Sequence, residues 1–461
     1  MIQHQTLKNG GDAAELHDLI GIGFGPSNLA MAVRLAEQGP GQRDSAPLKH
    51  CFIEQQAEFG WHRSMLLDDS RMQISFLKDL VSLRDPKSHF TFVNYLFEHG
   101  RLQDFVNLKT FFPTRIEFHD YLRWVASAFD DQVHYGERVS RIEAVADPKD
   151  ASRVRHLRVW SRDQHGAEHA RVTRALSIGV GGAPNVPAVF GGIDASRVIH
   201  SSQYLHRIDA RLTDRTKRHR VAVIGGGQSA AEVFIDLGRR FPNVDATLIM
   251  RAPALKPADD SPFVNEIFHP NYTDLVYSQP KDARQHLLET FRDTNYSVVD
   301  RPLIEHIYEL LYLQSVGGHV RHRLLPNRAI ESAQDDAAHG DIALRLRDRL
   351  GGEVTSEHFD TIVLATGYRR DVHHSLLAGV AEHIGDALAR SEVGRDYRLV
   401  TPETFQPRIY LQGCCESSHG LSDTLLSVLA RRADDIHASL IERAPEPEPA
   451  AQARETAVIA A

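Results

Sequence analysis

Two glycine-rich turns carry the residue types best suited to chemistry in this chain. The first reads Asp18-Leu-Ile-Gly-Ile-Gly-Phe-Gly-Pro-Ser-Asn28, the second Val221-Ala-Val-Ile-Gly-Gly-Gly-Gln-Ser-Ala-Ala231. Glycines at this spacing let backbone approach a diphosphate closely, and the helix that follows offers it free N–H groups and a positive dipole end. The groups expected at the anion are Gly21, Gly23, Gly25, Pro26, Ser27 and Asn28 in the first turn, and Gly225, Gly227, Gln228, Ser229 and Ala230 in the second. Each turn follows an apolar run that reads as a strand and opens an apolar-periodic helix, the context that gives the motif its meaning. Two such units predict two dinucleotides, a flavin and the nicotinamide that reduces it. The alternative is one working site and one structural turn.

The next strand of each unit separates the nucleotides. After the first turn, Leu48-Lys-His-Cys-Phe-Ile-Glu54 ends in an acid, Glu54, where a ribose hydroxyl pair is held. The gap to it is lengthened by a loop from Gln38 to Pro47. After the second, Ala246-Thr-Leu-Ile-Met250 is followed by Arg251, with Lys256 close behind. Arginine there suits a 2′-phosphate by charge and by its forked donors, whereas an acid would repel it. The first site is expected to hold FAD and the second NADPH; the bland reading of Arg251 is a solvated surface side chain.

The elements that position these residues are legible in outline. A length of 461 residues implies two or three domains. Val154–Trp160 alternates as a strand does, and Ala175–Gly181 reads as another, followed by a Gly/Pro connector, 182–187. From Phe59 to Phe129, aromatic and aliphatic residues recur at helix-like spacing and are expected in a core. Asp360–Tyr368 reads as a buried strand ending in a small-residue turn. The fold class is α/β: two Rossmann-like dinucleotide-binding domains, for FAD and NADPH, with a smaller, mostly helical substrate-binding region. The expected boundaries are a flexible tail at 1–15, a discontinuous FAD domain at 16–215 and 360–443, and an NADPH domain at 216–359 with a substrate insertion at about 256–330. The tail, 444–461, is Pro-, Glu- and Ala-rich and reads as disordered.

Composition excludes several classes. The net charge of −8 argues against nucleic acid or an anionic membrane as the main partner. No apolar run approaches the ~18 residues of a membrane span, and the N-terminus lacks the apolar core of a signal peptide, so a cytoplasmic location is expected. Cys51, Cys414 and Cys415 form neither a disulfide framework nor a C-x-x-C pair, which argues against a disulfide reductase. The 26 histidines are scattered and show no metal spacing, so no metal is assigned.

Four stretches together resemble the flavin-dependent N-hydroxylating monooxygenases, the amino-acid hydroxylases of siderophore biosynthesis. They are Gly21–Asn28; Met72–Pro86; Asp260–Phe268 with Thr294–Ser297; and Asp360–Tyr368 with His419–Ser427. Arg84 places the pattern nearer the ornithine hydroxylases than the lysine hydroxylases. Alone, Lys78 among Leu77, Leu80 and Val81 would read as a snorkelling lysine, Asn265 as a helix cap, Asn295 as a turn residue and Ser427 as a hydroxyl bonded to its own backbone. The resemblance implies instead that Lys78, Asn265, Asn295 and Ser427 surround the amino acid, with Lys78 on its carboxylate. It also implies Glu54, Trp61, His62, Gln73, Val139, Thr366, Gly367, Thr424, Leu425 and Leu426 near FAD, and Arg251, Asn295 and Ser297 near NADP.

The chemistry so implied is oxygenation of the side-chain amine of L-ornithine by O2 through a C4a-hydroperoxyflavin. The family implies a homo-oligomer, often a tetramer. No protein acid or base is assigned. L-lysine or a diamine is the alternative substrate. A Baeyer–Villiger or S-oxygenating flavin monooxygenase is the alternative class, since Phe190-Gly-Gly and His200-Ser-Ser-Gln-Tyr204 look like a stretched form of that linker signature. A protein that only senses two nucleotides is the non-enzymatic reading.

Overall fold

The computed structural model describes residues 15–37, 47–336 and 339–442. Most of the expected N-terminal tail, the loop after Gln38 and the expected C-terminal tail lie outside the described residues.

Two parallel sheets organise the chain. The first runs in the order Arg408–Leu411, Ala175–Ile178, Leu19–Ile22, His50–Glu54, Val133–Tyr135, every neighbouring pair parallel. The second runs Val198–His200, Thr361–Leu364, His219–Ile224, Val244–Ile249, Arg323–Leu325, again all parallel. Their inner strands are largely apolar because both faces are covered: all residues of Leu19–Ile22 and of Thr361–Leu364 are buried. Helix Pro26–Ala36 follows the first sheet's central strand, and helix Gln228–Arg240 follows the second's, so both glycine turns fall at the carboxyl ends of parallel strands.

The aromatic segment is helical only in its second half, as Phe92–Glu98, Leu102–Asn107 and Arg115–Ser127. The Thr91 and Thr114 hydroxyls cap two of these helices by accepting the N–H groups of Asn94 and Glu117. Phe92, Tyr95, Phe118 and Tyr121 pack ring against ring in the first core, as expected. Before Phe92 the chain is mostly irregular, because local side-chain bonds replace helical ones. The buried Asp79 carboxylate accepts the N–H groups of Val81 (2.9 Å), Ser82 (2.6 Å) and Phe92 (2.8 Å). Burial raises the pKa of this acid.

Two boundary expectations are corrected. Thr361–Leu364, expected in the flavin unit, pairs with His219–Ile224 and Val198–His200 inside the second sheet. The chain returns to the first unit only beyond it, and the two crossings run side by side where Tyr368–Arg369 pairs antiparallel with Ala183–Pro184. Helix Arg301–Gly317, expected in the substrate insertion, buries Ile307 in the second unit's core with Phe234 and Leu237. The separate helical insertion is therefore shorter, made of Pro262–Asn265, Pro270–Ser278 and Lys281–Phe291. No helix among the described residues is long and apolar enough to cross a membrane.

Candidate nucleotide and substrate site

The first glycine turn is braced from below. Gly23 has φ +80°, and a Cβ there would lie 2.8 Å from the Gly179 carbonyl oxygen, so only glycine fits. Glu54 Oε2 accepts the Phe24 N–H at 2.7 Å and Oε1 the Gln56 N–H at 2.8 Å, which places the acid beside the turn despite the long loop before it. Gly25 caps helix Pro26–Ala36 with no side-chain bond, and the space where its Cβ would stand is open. The first-turn N–H groups of that helix thus face room for an anion. Gly21 and Asn28 require a correction, since both are buried beneath the turn. The Asn28 amide donates to the carbonyls of Gly23 (2.6 Å) and Ser177 (3.2 Å), and its oxygen accepts from Ser177 Oγ (2.7 Å) and Gln412 Nε2 (3.0 Å). Its side chain shapes the turn and has no polar atom left to face a ligand.

The second turn is built alike. A Cβ on Gly225 would come within 2.5 Å of the Ala365 carbonyl oxygen, so strand Thr361–Leu364 presses its end on the turn. Gly227 caps helix Gln228–Arg240 without a side-chain bond, and Ser297, in the left-handed region at φ +61°, stands opposite it. Ser229 is half-buried and Ala230 buried in this first helical turn. The Gln228 side chain is committed to protein, donating to Glu232 (3.0 Å) and Asp300 (3.1 Å). Arg251 is exposed, and no carboxylate among the described residues pairs with its guanidinium. Lys256 differs, being paired with Asp293 at 2.8 Å.

The turn at 365–367 joins the units. Thr366 Oγ1 donates to the Asn185 carbonyl at 2.5 Å, and the Asn185 N–H donates to Gly367 O at 2.9 Å. Trp61 packs edge-on to Phe118 and His62 edge-on to Tyr368, while Val139 lies against the first core. Gln73 donates to Asp300 at 3.0 Å.

The residues expected around a substrate lie on elements that pack together. With Asp79 drawn inward, Lys78 is half-buried with its Nζ 5.6 Å from the Phe268 ring centroid. No carboxylate among the described residues pairs with it, and burial holds its pKa below the ordinary lysine value. Phe268 belongs to the turn Glu266–Phe268 that continues the helix bearing Asn265, whose amide donates to the Asp260 carbonyl at 2.8 Å. That turn packs on Leu421–Thr424, which leads through Leu425 and Leu426, both half-buried, to Ser427. Asn295 is half-buried next to Tyr296, whose hydroxyl donates to Glu416 on the same side of the site. The Ser427 Oγ is buried with no hydrogen-bond partner among the described residues. A buried hydroxyl so placed costs about 1–3 kcal/mol unless something bonds it.

Arg115, Glu232, Asp300, Glu416 and Arg432 also occupy the site's framework, and the sequence reading did not single them out. None of them carries a local signal: Arg432, for example, stands beside Arg431, Asp434 and Asp435 in a mixed helix.

Two parallel sheets, each ending in a cradle for a diphosphate, with a cation and a buried hydroxyl that have no partner among the described residues on elements packed beside them, define a two-dinucleotide oxidoreductase. The chain belongs to the L-lysine 6-monooxygenase/L-ornithine 5-monooxygenase family, whose model matches residues 15–370. It is 66% identical over 404 residues to an L-ornithine N(5)-monooxygenase of Burkholderia cepacia, covering 87% of this chain and 89% of that protein. The fold matches the ornithine hydroxylase PvdA of Pseudomonas aeruginosa with a TM-score of 0.85 and 50% identity, over 92% of this chain and 99% of that one. It matches the Kutzneria sp. 744 ornithine N-hydroxylase KtzI, described with reduced FAD, NADP+ and L-ornithine, with a TM-score of 0.85 and 38% identity, over 92% and 99% of the two chains.

Proposed function

We propose that this protein hydroxylates the side-chain nitrogen of L-ornithine, consuming O2 and NADPH and releasing N5-hydroxyornithine, NADP+ and water, as a cytoplasmic step toward a hydroxamate siderophore. The first glycine turn with Glu54 holds FAD and the second with Arg251 holds NADPH. When bound, the flavin supplies the activation of O2, which no protein side chain provides.

The chain's own residues bind, orient and exclude water. Lys78 donates to the substrate carboxylate; it is half-buried, unpaired among the described residues and beside the turn after Asn265, and this observation carries the reading. Asn265 and Asn295 offer amide groups to the α-amine and carboxylate, and Ser427 brings a hydroxyl that nothing else satisfies. Fixing the α-end places the terminal amine. That amine attacks only when neutral, and its ordinary pKa is ~10.4. Exclusion of water around it favours the neutral form.

Exposed Phe97, Val106, Leu108 and Phe111 form apolar surface on the helical part of the first unit and support a homo-oligomer, a tetramer by family resemblance. The functional reading is tested by incubating the FAD-loaded protein with NADPH, O2 and L-ornithine. A hydroxylamine product bearing one added oxygen supports it; NADPH oxidation that ornithine does not stimulate overturns it.

A further inference from the structure

A closed ring of polar contacts ties the flavin-side unit to the second glycine turn. On the flavin side, the Met72 N–H donates to Pro113 O and the Arg115 N–H to Ser70 O, both at 2.9 Å. The Arg115 guanidinium reaches across to Glu232 in a two-pronged pair, 2.9 Å to Oε2 and 2.8 Å to Oε1, and also donates to Met65 O at 2.9 Å. The two side chains are 12% and 5% exposed. Glu232 Oε1 accepts from Gln228 Nε2 at 3.0 Å, in the first turn of the helix that opens after Gly227. Gln228 Nε2 also donates to Asp300 Oδ2 at 3.1 Å, and its oxygen accepts the Asp300 N–H at 2.9 Å. Asp300 Oδ1 accepts Gln73 Nε2 at 3.0 Å, and Gln73 adjoins Met72, where the ring began.

Contacts between units of one chain leave relative motion as the default unless something fixes the angle. Met65 and Leu67 of the same flavin-side segment are buried in the second unit's core, but the ion pairs of Arg239 with Asp68 and Asp69, each acid more than 70% exposed, hold little. The Arg115–Glu232 pair is of a different kind. Its two parallel donors define an orientation as well as a distance. Asp300 adds a second fixing point, coupled to the first through Gln228, because its two oxygens take one amide from each unit.

We propose that Arg115, Glu232 and Asp300 are positioning residues that set the nicotinamide against the flavin by clamping the second glycine turn to the flavin-side strap at Gln73. The proposal rests on the two-nucleotide reading above. Reduction of the flavin, in which the nicotinamide gives up a hydride and becomes NADP+, needs reacting atoms within ~3–3.5 Å, and a ~1 Å error can cost ~10²-fold in rate. None of the three residues need touch either nucleotide. Asp300→Asn removes the charge and replaces one acceptor by a donor, so one of the two glutamines must let go or turn its amide over. Glu232→Gln keeps the shape but removes the charge facing Arg115.

The test uses the FAD-loaded protein and both variants. NADP+ is titrated into the oxidised form, with affinity read by calorimetry and ring apposition by the change in the flavin visible spectrum. Flavin reduction at saturating NADPH is then timed without oxygen. In Asp300→Asn, FAD content and NADP+ affinity stay within about threefold of wild type, the spectral change shrinks and reduction slows at least about tenfold. Glu232→Gln shifts in the same direction and decides the matter if Asp300→Asn does not fold. Wild-type spectral changes and reduction rates in the folded variants overturn the proposal alone. Wild-type flavin that NADPH does not reduce overturns the two-nucleotide reading and the proposal with it.

Discussion

Arg432 Nη2, on the last described helix, donates to Ser27 Oγ at 2.9 Å across 405 residues of chain, directly under the first glycine turn. The same guanidinium pairs with Asp423 at 3.1 Å and donates to the Gln412 carbonyl oxygen of the side chain at 3.2 Å, and the two charged side chains are 1% and 0% exposed. The C-terminal helix thereby locks the nucleotide turn to the turn Leu421–Thr424.

Removing Arg432 strands a buried carboxylate. Arg432→Ala should lower stability by about 3–5 kcal/mol, the range for breaking one side of a buried pair, and should release FAD during purification. Thermal melting and the ratio of flavin to protein absorbance check this. A variant with wild-type melting and full flavin would show that the pair is not a brace.

Coenzyme choice should depend on Arg251. Its guanidinium is exposed and unpaired among the described residues, so Arg251→Ala disturbs little else. A charge-assisted contact to a 2′-phosphate is worth about 1.5–3 kcal/mol, which corresponds to a roughly ten- to hundredfold loss in kcat/KM for NADPH. NADH turnover should scarcely move. Equal losses for both coenzymes would remove Arg251 from the phosphate site.

Lys78→Ala should separate binding from folding. The side chain has no carboxylate partner among the described residues, so its loss should leave melting and FAD content close to wild type, while ornithine-stimulated NADPH oxidation loses its ornithine dependence. In the wild type, the lowered Lys78 pKa adds a pH signature. The KM for ornithine should rise at an alkaline pH below the ordinary lysine range, as the ammonium loses its proton. An unchanged ornithine KM in the variant would place the clamp elsewhere.

Acid should destabilise the protein before its carboxylates titrate. His322, His419 and His437 are 4%, 1% and 5% exposed. Burial above all holds each at a pKa of about 4. The unfolded chain binds these protons near ~6.5. Between those values the unfolded state carries more protons than the folded one, so stability falls as pH falls through the window. Each histidine contributes up to about 3 kcal/mol. Melting temperatures at pH 7 and pH 5 test this, and a flat profile would contradict it.

Local signals in the sequence reached the two glycine turns and the core aromatics, because each depends on neighbours a few residues away, and the motif's strand order reached Glu54 across its long loop. Strand Thr361–Leu364 is recognisable as buried, yet its sheet is not legible locally: a parallel strand covered on both faces looks alike in either sheet, and only pairing with His219–Ile224 decides. Asn28 carried a motif's expectation but is consumed by Gly23, Ser177 and Gln412. The Arg115–Glu232 pair joins residues 117 apart, and nothing local marks either partner. Lys78 was read through family resemblance; the inward Asp79 that leaves it at the site's wall has no periodic signature.

The most direct test of the account is the yield of hydroxylamine per NADPH for L-ornithine, L-lysine, putrescine and cadaverine, measured side by side with hydrogen peroxide. A clamp at the α-end makes chain length decide where the terminal nitrogen falls. Lysine is one methylene longer, an advance of about 1.3 Å in an extended chain, and a misplacement of that order can cost ~10²-fold. The account predicts efficient coupling with ornithine, mostly peroxide with lysine, and little stimulation by the diamines, which lack the carboxylate for Lys78. Efficient coupling with lysine or a diamine, together with poor coupling for ornithine, would contradict it.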